Sequence, residues 1–159
     1  MGGLDAGRPG ELLIGTQNVD DLQERAGARR LLHMHGELMR GWCLACDERF
    51  GWAGDMSPQS VRPELRTNGN FCPACGASGH VRPDIVWFGE MPYGMERIEG
   101  AVRACDLFVS IGTSGAVYPA AGFVQTAKYV GARTLELNLE QSQGSMLFEE
   151  RRFGVAGGG

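Results

Sequence analysis

Hydrophobic residues fall along this chain in short runs, each stopped by glycine or by a polar cluster. Leu12-Leu13-Ile14 is a run of the buried-strand kind. Thr16-Gln17-Asn18-Val19-Asp20-Asp21 follows at its carboxyl end, and Asp20 and Asp21 open a short helix that closes at Gly27. Leu31-Leu32-His33-Met34-His35-Gly36 is a brief alternation ending in histidine and glycine, and Ile85-Val86-Trp87-Phe88 is an extended apolar run stopped by Gly89. From Pro92 the period turns helical, with Met95, Ile98 and Val102 on one face. Leu107–Ile111 is the clearest strand, and Gly112-Thr113-Ser114-Gly115 is a flexible turn. Pro119 begins a helix that runs to about Val130, and Thr134–Leu139 is the next strand. Residues 107–139 therefore predict a strand–helix–strand unit, hence a parallel sheet with a right-handed crossover. Residues 1–10 and the terminal glycines read as loose ends.

The pattern breaks between residues 41 and 80, where Cys43 and Cys46 form one C-x-x-C pair and Cys72 and Cys75 another. Each pair lets two thiolates reach one ion from a single turn, and two such turns complete a tetrahedral shell. Four soft thiolates suit zinc. The other readings are two disulfides or unrelated core thiols, but nothing marks a secreted protein. The 25 residues between Cys46 and Cys72 exceed the usual ribbon spacing of roughly 15–20, so a segment rich in Pro58, Pro63 and Asn68-Gly69 loops out. Trp42, Phe50, Trp52 and Phe71 are expected to pack around the module. Cys105, the fifth cysteine, sits in an apolar segment and reads as a buried structural thiol.

Composition narrows the function classes. At 159 residues, 43% hydrophobic and 21% charged, the chain is globular. A net charge of −4 argues against nonspecific binding to nucleic acid or anionic membrane. No apolar run reaches the roughly 20 residues of a membrane span, and the N-terminus has no signal-peptide pattern. A cytoplasmic location is the expectation.

Ligands of open parallel sheets bind beyond the carboxyl ends of the strands. Three strand ends here carry polar groups: Gln17, Asn18 and Asp20; Gly112, Thr113 and Ser114; Asn138 and Glu140. Glycine at such a turn lets backbone N–H groups approach phosphate, and an acid after the next strand can accept both hydroxyls of a ribose. Tight turns of small residues are also simply turns. His35 reads as a general base or as a hydrogen-bonded structural histidine. Asp20 reads as a ligand or as a helix cap. Trp87 and Phe88 read as core, and His33, two residues from His35, as structural and facing the other way if the stretch is extended.

Thr16-Gln17-Asn18-Val19-Asp20, His35-Gly36, the two C-x-x-C pairs, Val86-Trp87-Phe88-Gly89-Glu90, Gly112-Thr113-Ser114 and Asn138-Leu139-Glu140 together resemble the sirtuin family of NAD-dependent protein-lysine deacylases. The Trp-Phe-Gly-Glu-Met-Pro form is most similar to bacterial members of the deacetylase/desuccinylase class. The resemblance implies an α/β fold, a partial Rossmann-type parallel sheet with an inserted small zinc-binding module. It divides the chain into a Rossmann-type part with the catalytic loop (1–36), the zinc module (37–84) and a C-terminal Rossmann-type part (85–159). It implies NAD as co-substrate, acyl-lysine peptides and proteins as partners, and one structural zinc on Cys43, Cys46, Cys72 and Cys75. His35 matches the general base. Gln17, Asn18, Val19 and Asp20 match positions holding nicotinamide and its ribose. Gly112, Thr113 and Ser114 match the turn near the phosphates and adenosine side. Asn138, Leu139 and Glu140 match adenosine-ribose contacts, and Ala156 a position near the adenine. Val86, Trp87, Phe88, Gly89 and Glu90 match the strand that pairs with substrate.

The chain departs from the family pattern in places. The Gly-Ala-Gly-x-Ser phosphate loop and the Tyr-x-x-Arg pair of acidic-acyl specificity are not in it, and Gln23 stands where the family has histidine. The chain is thus expected to match the later two-thirds of a sirtuin, with an exposed sheet edge, poor NAD binding, weak activity and a tendency to aggregate. The other function reading is a non-catalytic zinc-containing module that binds peptide or protein. A zinc-ribbon nucleic-acid binder is disfavoured by charge.

Overall fold

The structure, a computed structural model, describes residues 10–52 and 70–155. Ala156 and the looped segment with Pro58, Pro63, Asn68 and Gly69 lie outside the described residues. The chain falls into two compact units, Met1–Gly94 and Met95–Gly159.

The first unit begins with a strand, turn of helix and strand: β1 (Ile14–Thr16), α1 (Leu22–Arg25) and β2 (Leu31–His33). β1 and β2 pair in parallel, Ile14 opposite Leu31 and Thr16 opposite His33. Gly27, at φ +87°, ends the helical turn as the sequence predicts. A tight turn at Met34-His35 leads into β3 (Gly36–Cys43). β3 is the middle strand of an antiparallel sheet, between β4 (Arg49–Gly51) and β5 (Val81–Ile85). Gly36 cannot be another residue without displacement. Its φ is +82°, and a Cβ there meets the Asp84 carbonyl oxygen at 2.1 Å. Cys43, Cys72 and Val81 form the core of this sheet, with Phe50 and Trp52 packed against it. Phe71 does not join them: it is 60% exposed, because its backbone bridges to Ser78 in a hairpin-like turn at the surface.

The second unit holds α2 (Met95–Ala104), β6 (Leu107–Ile111), α3 (Phe123–Tyr129, entered through a 3₁₀ turn at Ala120–Gly122), β7 (Arg133–Asn138) and β8 (Glu150–Phe153). The sheet is parallel in the order β6-β7-β8. Ile98 and Val102 of the predicted helical face are buried, as are Val124 and Ala127 of α3. β8 has no apolar signal: Glu150-Arg151-Arg152-Phe153 is exposed throughout and is a strand only because β7 offers it an edge. β6 is the other outer strand of this sheet, and Leu107, Val109 and Ile111 on one face of it are exposed. Among the described residues no helix is long and apolar enough to cross a membrane.

Candidate active site and metal centre

The polar cluster after β1 is held by its own backbone. The Thr16 carbonyl accepts from Met34 N–H at 3.1 Å and the Val19 carbonyl from Leu38 N–H at 2.8 Å. Between them, the Gln17 carbonyl faces His35 Nδ1 at 3.1 Å and the Asn18 carbonyl faces His33 Nδ1 at 3.2 Å. Four successive carbonyls of the segment are thus tied to the β2–β3 turn. Thr16 Oγ1 accepts from Asn18 N–H at 3.1 Å and from Gln23 Nε2 at 3.2 Å, so Gln23 fills its place as a donor to the loop. Asp20 Oδ1 accepts from Leu22 N–H at 3.1 Å, a local turn bond one residue outside the helix, whose N-cap position is Asp21.

A carbonyl only accepts, so Nδ1 of His35 carries the proton and Nε2 keeps its lone pair. In the neutral ring, which is half-buried, Nε2 is then the nitrogen left to accept. His33 behaves differently. Its Nε2 lies 2.5 Å from Glu24 Oε1, so both ring nitrogens face acceptors. Burial pulls its pKa down, but the Glu24 hydrogen bond, the Asn18 carbonyl and the charges of Glu24 and Glu37 outweigh this and raise it. The stretch is not extended through Met34 and His35. Both histidines therefore reach the same loop, and the period-2 argument that set them on opposite faces does not apply. A cavity of about 340 Å³ lies among His33, Glu37, Arg40, Arg49 and Asp84. Its charges pair with one another: Arg40 with Glu37 at 3.2 Å, and Arg49 with Asp84 at 3.4 Å.

Val86–Glu90 is not a continuous strand. β5 ends at Ile85, and a turn follows with Gly89 at φ +91°. Val86 N–H donates to the His35 carbonyl at 2.9 Å, which joins this segment to the catalytic candidate. Trp87 is 56% exposed and Phe88 fully so, correcting their reading as core. The apolar run signalled burial, but the turn carries both rings out of the sheet.

In the second unit the turn and the following strand end come together. Gly112, at φ +61°, donates to the Leu137 carbonyl at 2.9 Å. Asn138 Nδ2 donates to the Thr113 carbonyl at 2.7 Å, and Leu139 N–H to Asn138 Oδ1 at 3.1 Å. Ser114 accepts from Gln143 N–H through its carbonyl at 2.9 Å. Leu139 and Glu140 are exposed. Asn138 thus braces Gly112–Ser114 from β7. Glu136, buried beside it on β7, accepts from Ser145 Oγ. Cys105 is half-buried rather than buried, and donates to the Val102 carbonyl at 3.2 Å.

The four cysteines do converge. Cys43 and Cys75 sulfurs are 3.8 Å apart, Cys46 and Cys72 3.6 Å, and all four lie within 4.8 Å of one another. No disulfide is formed. A tetrahedron with Zn–S bonds of about 2.3 Å has edges of about 3.8 Å, so the two measured pairs stand at the spacing zinc needs. The two knuckles are closed alike. Asp47 N–H donates to the Cys43 carbonyl and Gly76 N–H to the Cys72 carbonyl; Cys43 N–H donates to the Glu48 carbonyl and Cys72 N–H to the Ala77 carbonyl. Asp47 and Gly76, at matching places, have φ of +63° and +71°. Burial pushes the Cys72 thiol up, but the N–H groups of Cys75 and Ala74 and the neighbouring thiols bring it down to about 7. For Cys46 the Glu48 backbone lowers the pKa, yet the surrounding cysteines push it up to about 12. A divalent ion between the four sulfurs would favour their thiolate forms.

A model of the Sir2 family matches residues 7–119. An NAD-dependent protein deacylase of Caulobacter vibrioides is 49% identical over 156 residues, 96% of this chain and 61% of that protein. The NAD-dependent protein deacylase SIR2rp3 of Leishmania major is 51% identical over 147 residues, 92% of this chain and 57% of that protein. A crystal structure of a Sir2 homologue in complex with NAD aligns with a TM-score of 0.75 at 32% identity, covering 90% of this chain and 53% of that one. The chain spans somewhat over half the length of these curated relatives.

Proposed function

Because the chain belongs to the Sir2 family, we propose that it works in the NAD-dependent removal of acyl groups from protein lysines. NAD would supply the electrophile: the acyl oxygen would displace nicotinamide from its ribose carbon, a ribose hydroxyl would then attack the acyl carbon, and uptake of one water would break the amide C–N bond, giving free lysine and O-acyl-ADP-ribose. His35 takes a proton from a ribose hydroxyl at Nε2. Gln17, Asn18, Val19 and Asp20 hold the nicotinamide end, Gly112, Thr113 and Ser114 the phosphate and adenosine side, and Asn138, Leu139, Glu140 and Ala156 the adenosine. Val86–Glu90 takes the acyl-lysine peptide as an added strand. Cys43, Cys46, Cys72 and Cys75 hold a structural zinc with no open position. The domain division at 36 and 84, the affinity to the bacterial deacetylase/desuccinylase class and a cytoplasmic setting belong to the same reading. The net charge of −4 supports a protein partner over nucleic acid.

The observation that carries the reading is the bond from His35 Nδ1 to the Gln17 carbonyl, 3.1 Å long, which leaves Nε2 as the basic nitrogen beside the loop matched to nicotinamide. A mere binding module has no use for a fixed tautomer there. The test is mass-spectrometric turnover of acetyl- and succinyl-lysine peptides with NAD, with His35→Ala in parallel. O-acyl-ADP-ribose from the wild type alone is expected, with peptide binding nearly intact in the variant. Equal loss of turnover and peptide binding would contradict the general-base role.

A further inference from the structure

Arg82 carries no signal in the sequence beyond standing before Pro83 at the end of the metal module. In the structure it is densely engaged. It sits on β5 opposite Trp42, one residue from the Val81–Cys43 pair. Nη1 donates to Glu90 Oε1 at 2.6 Å, and Nη2 to Glu90 Oε2 at 2.8 Å and to the Ile85 carbonyl at 2.6 Å. The guanidinium carbon also lies 4.8 Å from the Trp87 ring centre and 5.2 Å from that of Trp42. Only 18% of its side chain is exposed.

Glu90 passes the constraint on. Its Oε2 accepts from Trp87 N–H at 2.9 Å, and Glu90 N–H donates to the Trp87 carbonyl at 2.9 Å. Both backbone groups of Trp87 are therefore used inside the turn. Val86 spends its N–H on His35. Among the described residues, the Val86 carbonyl and the N–H and carbonyl of Phe88 have no protein partner. Those backbone groups are left for an incoming peptide to use.

We propose that Arg82 is the positioning residue of the substrate segment, clamping the Trp87–Glu90 turn to β5 and, through Trp42, to the cysteine-bearing sheet. This inference rests on the deacylase reading of Val86–Glu90. The clamp orders the Trp87–Glu90 turn before any peptide arrives, so that binding does not first have to order it. Lysine cannot replace it, because only the guanidinium fork meets both oxygens of Glu90 while still reaching the Ile85 carbonyl and stacking on indole. In keeping with this, the Arg82 contact and the Trp87 amide hold the Glu90 carboxyl down to about 2.

The experiment uses the full chain with zinc supplied, as wild type, Arg82→Gln, Arg82→Lys and the exchange Arg82→Glu with Glu90→Arg. Residue-resolved hydrogen exchange is read at Trp87 and Glu90 without ligand. Binding of a fluorescein-labelled acetyl-lysine peptide is read separately, by anisotropy. Arg82→Gln and Arg82→Lys are expected to deprotect the amides of 87 and 90 while leaving Cys43 and Cys72 protected, and to weaken peptide binding about tenfold, the loss of roughly one charge-assisted hydrogen bond. The exchanged pair is expected to recover part of both. Unchanged protection in Arg82→Gln overturns the clamp. Lost protection with unchanged peptide affinity reduces Arg82 to a structural residue and overturns its positioning role. If the wild type binds no peptide while its 87 and 90 amides are protected, the deacylase reading of the segment fails, and the substrate role of Arg82 with it.

Discussion

Gly36→Ala tests how His35 is held. Two separable penalties arise at this position. The φ of +82° places an L-residue in the left-handed region, costing about 1–2 kcal/mol. The new Cβ also meets backbone: the Asp84 carbonyl oxygen at 2.1 Å and the Ile85 Cα at 2.8 Å. Neither is the free end of a side chain, so β5 must move from β3, an overpacking cost of typically about 1–3 kcal/mol. The sum is about 2–5 kcal/mol. Gly27→Ala is the control, because Gly27 has φ +87° but nothing within 4 Å of its Cβ; it should show the first penalty alone. Trp42, Trp52 and Trp87 all lie in the unit Met1–Gly94, so tryptophan fluorescence during urea unfolding reports that unit. Gly36→Ala should lower the midpoint clearly more than Gly27→Ala does. It should also disturb the bond from Val86 N–H to the His35 carbonyl, which sits one residue from the clash. Equal destabilisation by the two substitutions would refute the close approach of β3 to β5.

Further outcomes follow from other contacts. The chain should bind one zinc ion per molecule by atomic emission, and Cys72→Ser should abolish binding and lower stability by several kcal/mol, since metal binding here is folding energy. His33 has a raised pKa when folded, so its stabilisation is complete below the unfolded value of about 6.5 and is lost as pH rises through the folded one. Urea midpoints measured across that range should fall as pH rises, and His33→Gln should flatten that part of the profile; an unaltered slope would exclude the Glu24–His33–Asn18 arrangement. Asn138→Ala should cost about 0.5–1.5 kcal/mol and speed exchange at Gly112–Ser114, whose Thr113 carbonyl it releases.

What could be read from residues alone was whatever local chemistry decides. The C-x-x-C pairs converge because each closes its own turn, and α1 ends at Gly27 because the chain there needs a positive φ. Leu107–Ile111 and the parallel pairing with β7 follow from periodicity and crossover length. β8 was not legible, since four exposed polar and aromatic residues become a strand only through the partner edge. Trp87 and Phe88 look like core by composition, and only the turn after Ile85 exposes them. His35 reads as a base only through the family resemblance, and its tautomer depends on a carbonyl 18 residues away in the chain. His33 and Arg82 were undervalued for the same reason: their partners, Asn18 and Glu24 for one and Glu90 for the other, are chosen by tertiary contact.

The matching closure of the two knuckles has a kinetic consequence. Each loop is shaped by two main-chain hydrogen bonds within its own six residues, so neither needs the ion, nor the other knuckle, to hold its curvature. Metal loading would then proceed in two steps: capture by one ready-made knuckle, followed by arrival of the second pair of cysteines. Release would run in reverse, with one knuckle letting go before the other. A chelator enters at that point, taking up vacated positions before the ion is free. Zinc should therefore leave faster as chelator concentration increases, rather than at a fixed rate set by spontaneous escape.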